Sequence, residues 1–240
     1  MVLNYRLKGK IYSMVHLTQI DTKGTLTEKT YEILKKNIIE LKIKPGKLLV
    51  VDEISEQLGV SRTPIKAALN SLINDGLIEM IQGKGAFVKA LTKKEASNII
   101  NVRELLECYS VKLAAELRID DDIKELEYMI YKSEFAYKIK NYQDFLTLDS
   151  EFHYILARIS NNPFLLKQIT QILNNNRRYL NATTDENIAP YALEEHRAII
   201  EQIKKRDIYK SEEYMQKHIG NVKKRVIEYI VFNEENSSII

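Results

Sequence analysis

Three histidines and one aspartate in the second half of the chain have types and spacing that suit metal chemistry. Asp149 and His153 are four residues apart, so a helix places both side chains on one face. His196 and His218 each adjoin an apolar run further along the chain. Three imidazole nitrogens and one carboxylate oxygen suit zinc, nickel, manganese or iron, and they leave a coordination position for a ligand oxygen. Each histidine taken alone is more typical of an ordinary core or surface residue.

A second set of residues, within 59–79, is typical of a helix that binds DNA. Ser61 or Thr63 can cap the start of this helix. The apolar residues that recur at helical spacing, and so predict one buried face, are Ile65, Ala68, Leu69 and Leu72. Arg62, Thr63 and Lys66 remain on the other faces, at the end where an inserted helix meets bases and phosphates. The alternative is an ordinary surface helix with a basic first turn.

Two further helices precede this stretch. The first is predicted to begin at Thr27 and to run to the breaker Lys44-Pro45-Gly46. The second is predicted within residues 51–60, with Asp52 as its cap. Together with the helix after Gly59, they have the separation of a helix-turn-helix motif.

A β-hairpin is predicted directly after the third helix. Residues 77–81 and 86–89 read as two strands, joined by a tight turn at 82–85. The tip of the hairpin contains Gly83, Lys84 and Gly85, and its small residues allow a close approach to a sugar-phosphate backbone. This position favours the wing of a winged helix over a generic hairpin turn.

The rest of the chain reads as a bundle of helices, because Gly220 is the only glycine after residue 91. Six helices are predicted, at 93–117, 120–139, 141–160, 163–180, 190–206 and 207–232. Their short connections imply antiparallel neighbours. The predicted fold is therefore mainly α, with an N-terminal winged helix-turn-helix and a C-terminal antiparallel six-helix bundle.

These elements predict four segments. Residues 1–25 form an N-terminal extension, which could be a strand or an arm on DNA but is better interpreted as a tail. Residues 26–91 form the winged helix-turn-helix domain, residues 92–232 form the helical domain, and residues 233–240 form a C-terminal tail.

Composition limits the class of protein. The 240 residues contain a single cysteine and no apolar run long enough to span a membrane. We therefore expect a cytoplasmic protein with no disulfides and no membrane partner. The formal charge of +3 is uneven: residues 1–91 contain 14 basic and 9 acidic residues, and residues 92–240 contain 22 and 24. The positive half is the half with the predicted DNA-binding helix.

The string from Ser61 to Leu69, followed by Leu72 and by Asp75 to Ile78, resembles the recognition-helix signature of the GntR family of bacterial winged-helix transcription regulators. The helical domain resembles the FCD ligand-binding domain of the FadR subgroup, and its six helices suggest the shorter VanR-like branch. The resemblance covers residues 26–232. It implies a DNA-binding regulator rather than an enzyme.

The resemblance also implies roles for individual residues. Asp149, His153, His196 and His218 match the residues that hold a divalent metal in relatives, where the metal helps to bind a carboxylate effector. Arg103 matches an arginine that often meets that carboxylate, and a surface salt bridge to Glu107 is the alternative. Arg177 and Arg178 are two further candidates for the effector pocket, and the sequence does not choose between them.

The same family pattern places Ser61, Arg62, Thr63, Lys66, Gly83, Lys84 and Gly85 at the DNA. Two residues depart from it. Lys66 stands where many relatives have arginine, which replaces a bidentate fork with a point charge. Asp52 stands where some relatives use an arginine against DNA.

We therefore predict a homodimeric repressor that binds an inverted-repeat operator in double-stranded DNA. Its operator affinity changes when a small carboxylate binds at the metal, for which zinc is the first choice and nickel, manganese and iron are alternatives. A rival hypothesis is a metal-dependent hydrolase that uses the Asp and His ligands to activate water. A third is a DNA-compacting protein, which would not need a buried ligand set.

Overall fold

The computed structural model describes residues 4–7, 10–13 and 24–237, and the chain divides into two compact units. The first unit ends at Ala90 and the second begins at Leu91. Each unit has a buried apolar core of its own. The mainly helical fold predicted from the sequence is confirmed.

Three helices form most of the first unit: α1 (Leu26–Ile39), α2 (Val51–Leu58) and α3 (Arg62–Asn74). Thr25 and Glu28 form a capping box at the start of α1, in which each side chain accepts a hydrogen bond from the other residue's backbone N–H. Gly59 takes a left-handed φ of +65° between α2 and α3, and this tight turn joins the two helices.

A three-stranded antiparallel sheet completes this unit. Its strands are β3 (Leu48–Leu49), β4 (Ile78–Ile81) and β5 (Gly85–Val88), in the order β3-β5-β4. The predicted hairpin corresponds to β4 and β5, in which Met80 pairs with Ala86. The pairing of Leu48 with Phe87 adds β3, which the sequence did not predict.

Three local predictions in the first unit are wrong. Helix α1 ends at Ile39, because Leu41 takes a left-handed φ of +57° before the Pro45 breaker is reached. Asp52 does not cap α2, because Val50 occupies the N-cap position and Asp52 lies in the first turn. Ser61 occupies the N-cap position of α3, but its side chain accepts no capping hydrogen bond.

The predicted N-terminal tail is also partly wrong. Strand β1 (Asn4–Leu7) pairs antiparallel with β2 (Lys10–Ser13). Residues 1–3, 8–9 and 14–23 lie outside the described part of the chain.

Six helices form the second unit, as the sequence predicts. They are α4 (Lys93–Leu117), α5 (Asp120–Lys138), α6 (Tyr142–Ile159), α7 (Pro163–Thr183), α8 (Ala189–Lys204) and α9 (Ile208–Ser237). Helix α9 continues to Ser237, so the predicted tail at 233–240 is wrong for most of its length, and residues 238–240 lie outside the described residues.

The turns of this bundle explain why it needs so little glycine. Lys140, Asn161 and Arg206 follow the ends of α5, α6 and α8 with left-handed φ values of +57°, +51° and +55°. These side chains bear a small strain that glycine would avoid. Within the described residues, no helix combines the length and apolar character that crossing a membrane requires.

Candidate functional site

Three of the four predicted metal ligands converge inside the second unit. His153 on α6, His196 on α8 and His218 on α9 each place one possible ligand nitrogen within 4.8 Å of the others. All three side chains are at most 3% exposed. The helices bring them together because each histidine lies on an inward face, as in α6, where Phe152 and Leu156 are also buried. Residues from three helices thus form one compact nitrogen cluster.

The electrostatics of this cluster favour neutral imidazoles at two of the three histidines. Burial lowers the pKa of both His196 and His218 well below the ordinary value, and the neighbouring His153 lowers both further. Within the described part of the chain, Nε2 of His196 and Nε2 of His218 have no hydrogen-bond partner. A buried lone pair without a donor is costly unless a ligand satisfies it. The donor set therefore fits a divalent metal ion.

Asp149 adjoins this cluster. It is buried on α6, one turn before His153, and its Oδ1 lies 3.6 Å from Nε2 of His196. A carboxylate at this place can complete a set of three nitrogens and one oxygen.

Arg103 is buried beside the same cluster rather than at the surface. Its Nε donates to Oε1 of Glu107 at 2.6 Å, so the alternative salt bridge does form, but both side chains are at most 2% exposed. The NH2 group of Arg103 lies 2.8 Å from Nε2 of His153. The other ring nitrogen of His153, Nδ1, lies 2.5 Å from Oε2 of Glu107. Burial raises the pKa of Glu107, but the charge of Arg103 and the contacts with Arg103 and His153 outweigh it, so the pKa lies well below its usual range.

Glu195 is a neighbour of the cluster that sequence reasoning did not place there. Its Oε2 lies 2.7 Å from Nδ1 of His218, and its Oε1 accepts from Nδ2 of Asn221 at 2.5 Å. A carboxylate at Nδ1 holds the imidazole proton on that nitrogen and leaves Nε2 free as a ligand. The sequence carries no signal for this contact, because Glu195 on α8 meets a residue on α9 rather than on its own helix.

Helix α7 adds a buried amide. Asn176 is fully buried, and within the described residues neither its Oδ1 nor its Nδ2 has a hydrogen-bond partner. Close to it along α7, Arg177 donates to Thr147 on α6 and Tyr179 donates to Glu95 on α4. Arg178 is 2% exposed. A buried amide with a free donor and a free acceptor is a group that a polar ligand can satisfy.

In the first unit, α3 exposes the residues predicted to meet DNA. Ile65, Ala68, Leu69 and Leu72 are buried, whereas Ser61, Arg62, Thr63 and Lys66 are exposed. Asn70, one turn beyond Lys66, is exposed on the same face and was not predicted. Nε of Arg62 lies 2.7 Å from Oδ1 of Asp52, with both side chains more than 60% exposed. Asp52 on α2 therefore forms an exposed ion pair with Arg62, the first residue of α3.

The predicted wing tip is exposed at Gly83 and Lys84, and Gly85 is half-buried. Gly83 and Gly85 take φ values of +74° and +108°, which side chains rarely adopt. A Cβ on Gly85 would also lie 3.1 Å from Cδ1 of Leu48. Both glycines are therefore needed for the shape of the tip.

Each of the two units matches a known family of protein domains. The FCD domain profile matches residues 98–221, and the profile of bacterial regulatory proteins of the gntR family matches residues 26–88. The HTH-type transcriptional repressor RspR of Escherichia coli (strain K12) is 26% identical over 221 residues, covering 92% of this chain and 96% of RspR. The uncharacterized HTH-type transcriptional regulator YdhC of Bacillus subtilis (strain 168) is 29% identical over 194 residues, covering 80% and 86% of the two chains.

A solved structure shares the fold. The E. coli McbR/YncC structure matches with a TM-score of 0.71 at 23% identity, and the match covers 84% of this chain and 99% of that chain. The FCD match alone spans about half of the sequence, and the gntR match contains the whole helix-turn-helix and wing. The chain belongs to the GntR family of bacterial transcription regulators and carries an FCD effector-binding domain.

Proposed function

We propose that this DNA-binding regulator changes its operator affinity when a small carboxylate binds at a divalent metal in the helical domain. The domains would comprise residues 26–91 and residues 92–232. The observation that supports the proposal is the convergence of three buried histidines from three helices, two of which have an Nε2 without a hydrogen-bond partner among the described residues.

Asp149, His153, His196 and His218 would hold the metal. The nitrogen-rich donor set suits zinc first, with nickel, manganese and iron as alternatives. When bound, the metal would supply a Lewis-acidic anchor for a carboxylate oxygen. The residues themselves orient that anchor, since Glu195 fixes the His218 ring and burial excludes water from the nitrogens.

Arg103 would bind the second oxygen of the effector. Its guanidinium offers a planar fork that matches a carboxylate, and its buried position increases the strength of that contact. Glu107 restrains the fork through Nε, and NH1, which has no hydrogen-bond partner among the described residues, can meet a ligand.

The DNA-binding face would consist of Ser61, Arg62, Thr63 and Lys66 in the major groove and the wing residues Gly83, Lys84 and Gly85 at the backbone. Arg62 can read a guanine with two hydrogen bonds, whereas Lys66 contributes a point charge. A homodimer would match two such faces to the half-sites of an inverted repeat. We propose repression because RspR is a repressor and is similar along nearly its whole length.

We do not propose hydrolysis at this site. A hydrolase needs a carboxylate or imidazole that is free to take a proton from water. The carboxylates of Glu107 and Glu195 already contact histidine nitrogens and other side chains. Their geometry suits orientation of ligands rather than proton transfer.

Metal analysis tests the proposal. Protein purified without chelator is expected to contain about one divalent ion per chain, and a His153→Ala/His196→Ala variant is expected to lose it. His16, the fourth histidine of the chain, is not one of the proposed ligands, so His16→Ala is the control variant and should keep the metal. An empty site in the unmodified protein would refute the metal claim. Thermal-shift screening of small carboxylates then tests the effector, because a ligand that binds only the folded state raises the melting temperature.

A further inference from the structure

One carboxylate connects the proposed metal site with the proposed effector site. Glu107 uses its two oxygens on two different partners: Oε1 accepts from Nε of Arg103 at 2.6 Å, and Oε2 lies 2.5 Å from Nδ1 of His153. All three side chains are at most 2% exposed, so water does not compete for these contacts. The group is closed by the 2.8 Å contact between the NH2 of Arg103 and Nε2 of His153.

These contacts define the proton on His153. A guanidinium can only donate, so Nε2 of His153 must carry the lone pair and Nδ1 must carry the proton. That nitrogen lies 2.5 Å from Oε2 of Glu107, so the carboxylate charge stands beside the proton. The ring is thereby held in the tautomer that a metal ligand needs, with Nε2 as its only available lone pair.

The same lone pair cannot serve two partners. Nε2 of His153 has one lone pair, and in the structure an N–H of Arg103 uses it. A metal bound to that nitrogen must displace this N–H. The guanidinium would stay attached to Glu107 through Nε, and its NH2 would become available to an anionic ligand.

We propose that Glu107 is a positioning residue that orients His153 for the metal, while Arg103 competes with the metal for His153, so that metal binding releases Arg103 for the effector. This inference rests on the metal-dependent function proposed above. It predicts opposite effects for two residues that form one ion pair. Loss of Arg103 tightens metal binding, and loss of Glu107 weakens it.

The expected sizes follow from the type of contact. Arg103→Met removes a charged donor from the ligand nitrogen and is expected to tighten Zn²⁺ binding about tenfold or more. Glu107→Gln removes the orienting charge and is expected to weaken Zn²⁺ binding about 10- to 100-fold. Because Glu107→Gln alone leaves a buried guanidinium unpaired, the double variant Arg103→Met/Glu107→Gln removes both charges and protects the fold.

The experiment is a competition between the full-length protein and a chromophoric Zn²⁺ chelator. Arg118→Met, which removes a mostly buried arginine just after the end of α4, about four helical turns from Arg103, is the control and should leave the affinity unchanged. Circular dichroism checks that every variant keeps its helices. Imidazole ¹⁵N spectra before metal is added report the proton on His153, which should be on Nδ1 in the unmodified protein and lose this preference in the double variant.

The outcomes separate the two proposals. If the unmodified protein does not bind Zn²⁺, the proposed function fails. If it binds Zn²⁺ but Arg103→Met binds no more tightly, or Arg118→Met tightens binding as much, competition by Arg103 is refuted. If the double variant binds as tightly as Arg103→Met, the positioning role of Glu107 is refuted. Tightening in Arg103→Met, with weakening of about 10- to 100-fold on adding Glu107→Gln, supports the inference.

Discussion

Replacing Asn176 with leucine is expected to stabilise the helical domain. Asn176 on α7 is fully buried, and within the described part of the chain its amide nitrogen and oxygen have no hydrogen-bond partner. Folding therefore removes this amide from water without compensation. Leucine branches at the same carbon as asparagine, so it fills a similar shape without polar atoms.

The magnitude follows from the cost of an unpaired buried polar group. That cost is about 1–3 kcal/mol, and part of the gain is lost because leucine is slightly larger. At a urea dependence of about 2 kcal/mol per molar, a gain of this size raises the midpoint of unfolding by about 0.5–1.5 M.

Urea unfolding followed by circular dichroism measures this midpoint. Asn175→Leu is the matched control, because Asn175 is the adjacent residue, is only half-buried and donates to the backbone oxygen of Gln171. The free energy of unfolding of Asn175→Leu should stay within about 0.5 kcal/mol of that of the unmodified protein. If Asn176→Leu lowered the midpoint, the Asn176 amide would have to be satisfied in solution, and the reasoning would be refuted.

Three further results are expected. Arg62→Ala should weaken binding to an operator obtained by in vitro selection about 5- to 150-fold at fixed salt and should relax the preference at one base position, whereas Lys84→Ala should weaken binding to all DNA sequences alike. Fluorescence anisotropy measures both affinities, and an unchanged operator affinity in Arg62→Ala would contradict the assignment of Arg62. Asp52→Asn should free Arg62 from its ion pair and tighten binding to a scrambled duplex by no more than about fivefold, because the Asp52–Arg62 ion pair is exposed. A loss of affinity would show that Asp52 instead orients Arg62. Burial raises the pKa of the Cys108 thiol to about 12. Its rate of reaction with a thiol reagent at pH 8 should therefore be about a thousandfold lower than that of free cysteine, and this rate should rise about tenfold per pH unit. A rate near that of free cysteine would show an exposed thiol.

The helical bundle could be predicted from the sequence because its breaks have visible causes. Asn162 and Pro163, for example, mark the start of α7, where the Asn162 side chain accepts from two backbone N–H groups. Strand β3 was missed because two residues have no detectable periodicity, and its pairing with β5 depends on residues about 40 positions away. The end of α1 was misplaced because Pro45 is visible in the sequence, whereas the left-handed φ of Leu41 is not.

The candidate site was predicted only in its residue types. Spacing placed Asp149 and His153 on one face of α6, but the approach of His196 and His218 depends on how α8 and α9 pack. The contact between Glu195 and His218 joins residues on two helices, so helical spacing cannot reveal it. For the same reason the sequence left a surface salt bridge between Arg103 and Glu107 as an alternative, although packing buries this pair completely.

The short strand β3 has a consequence for how DNA binding can be regulated. Because Leu48 and Leu49 pair with the wing strand, the wing is joined to the backbone between α1 and α2 as well as to the end of α3. This pairing restrains the position of the wing relative to α3. An effector that regulates this protein should change how often an operator is occupied, and nuclease footprints with and without effector should protect the same positions to different extents.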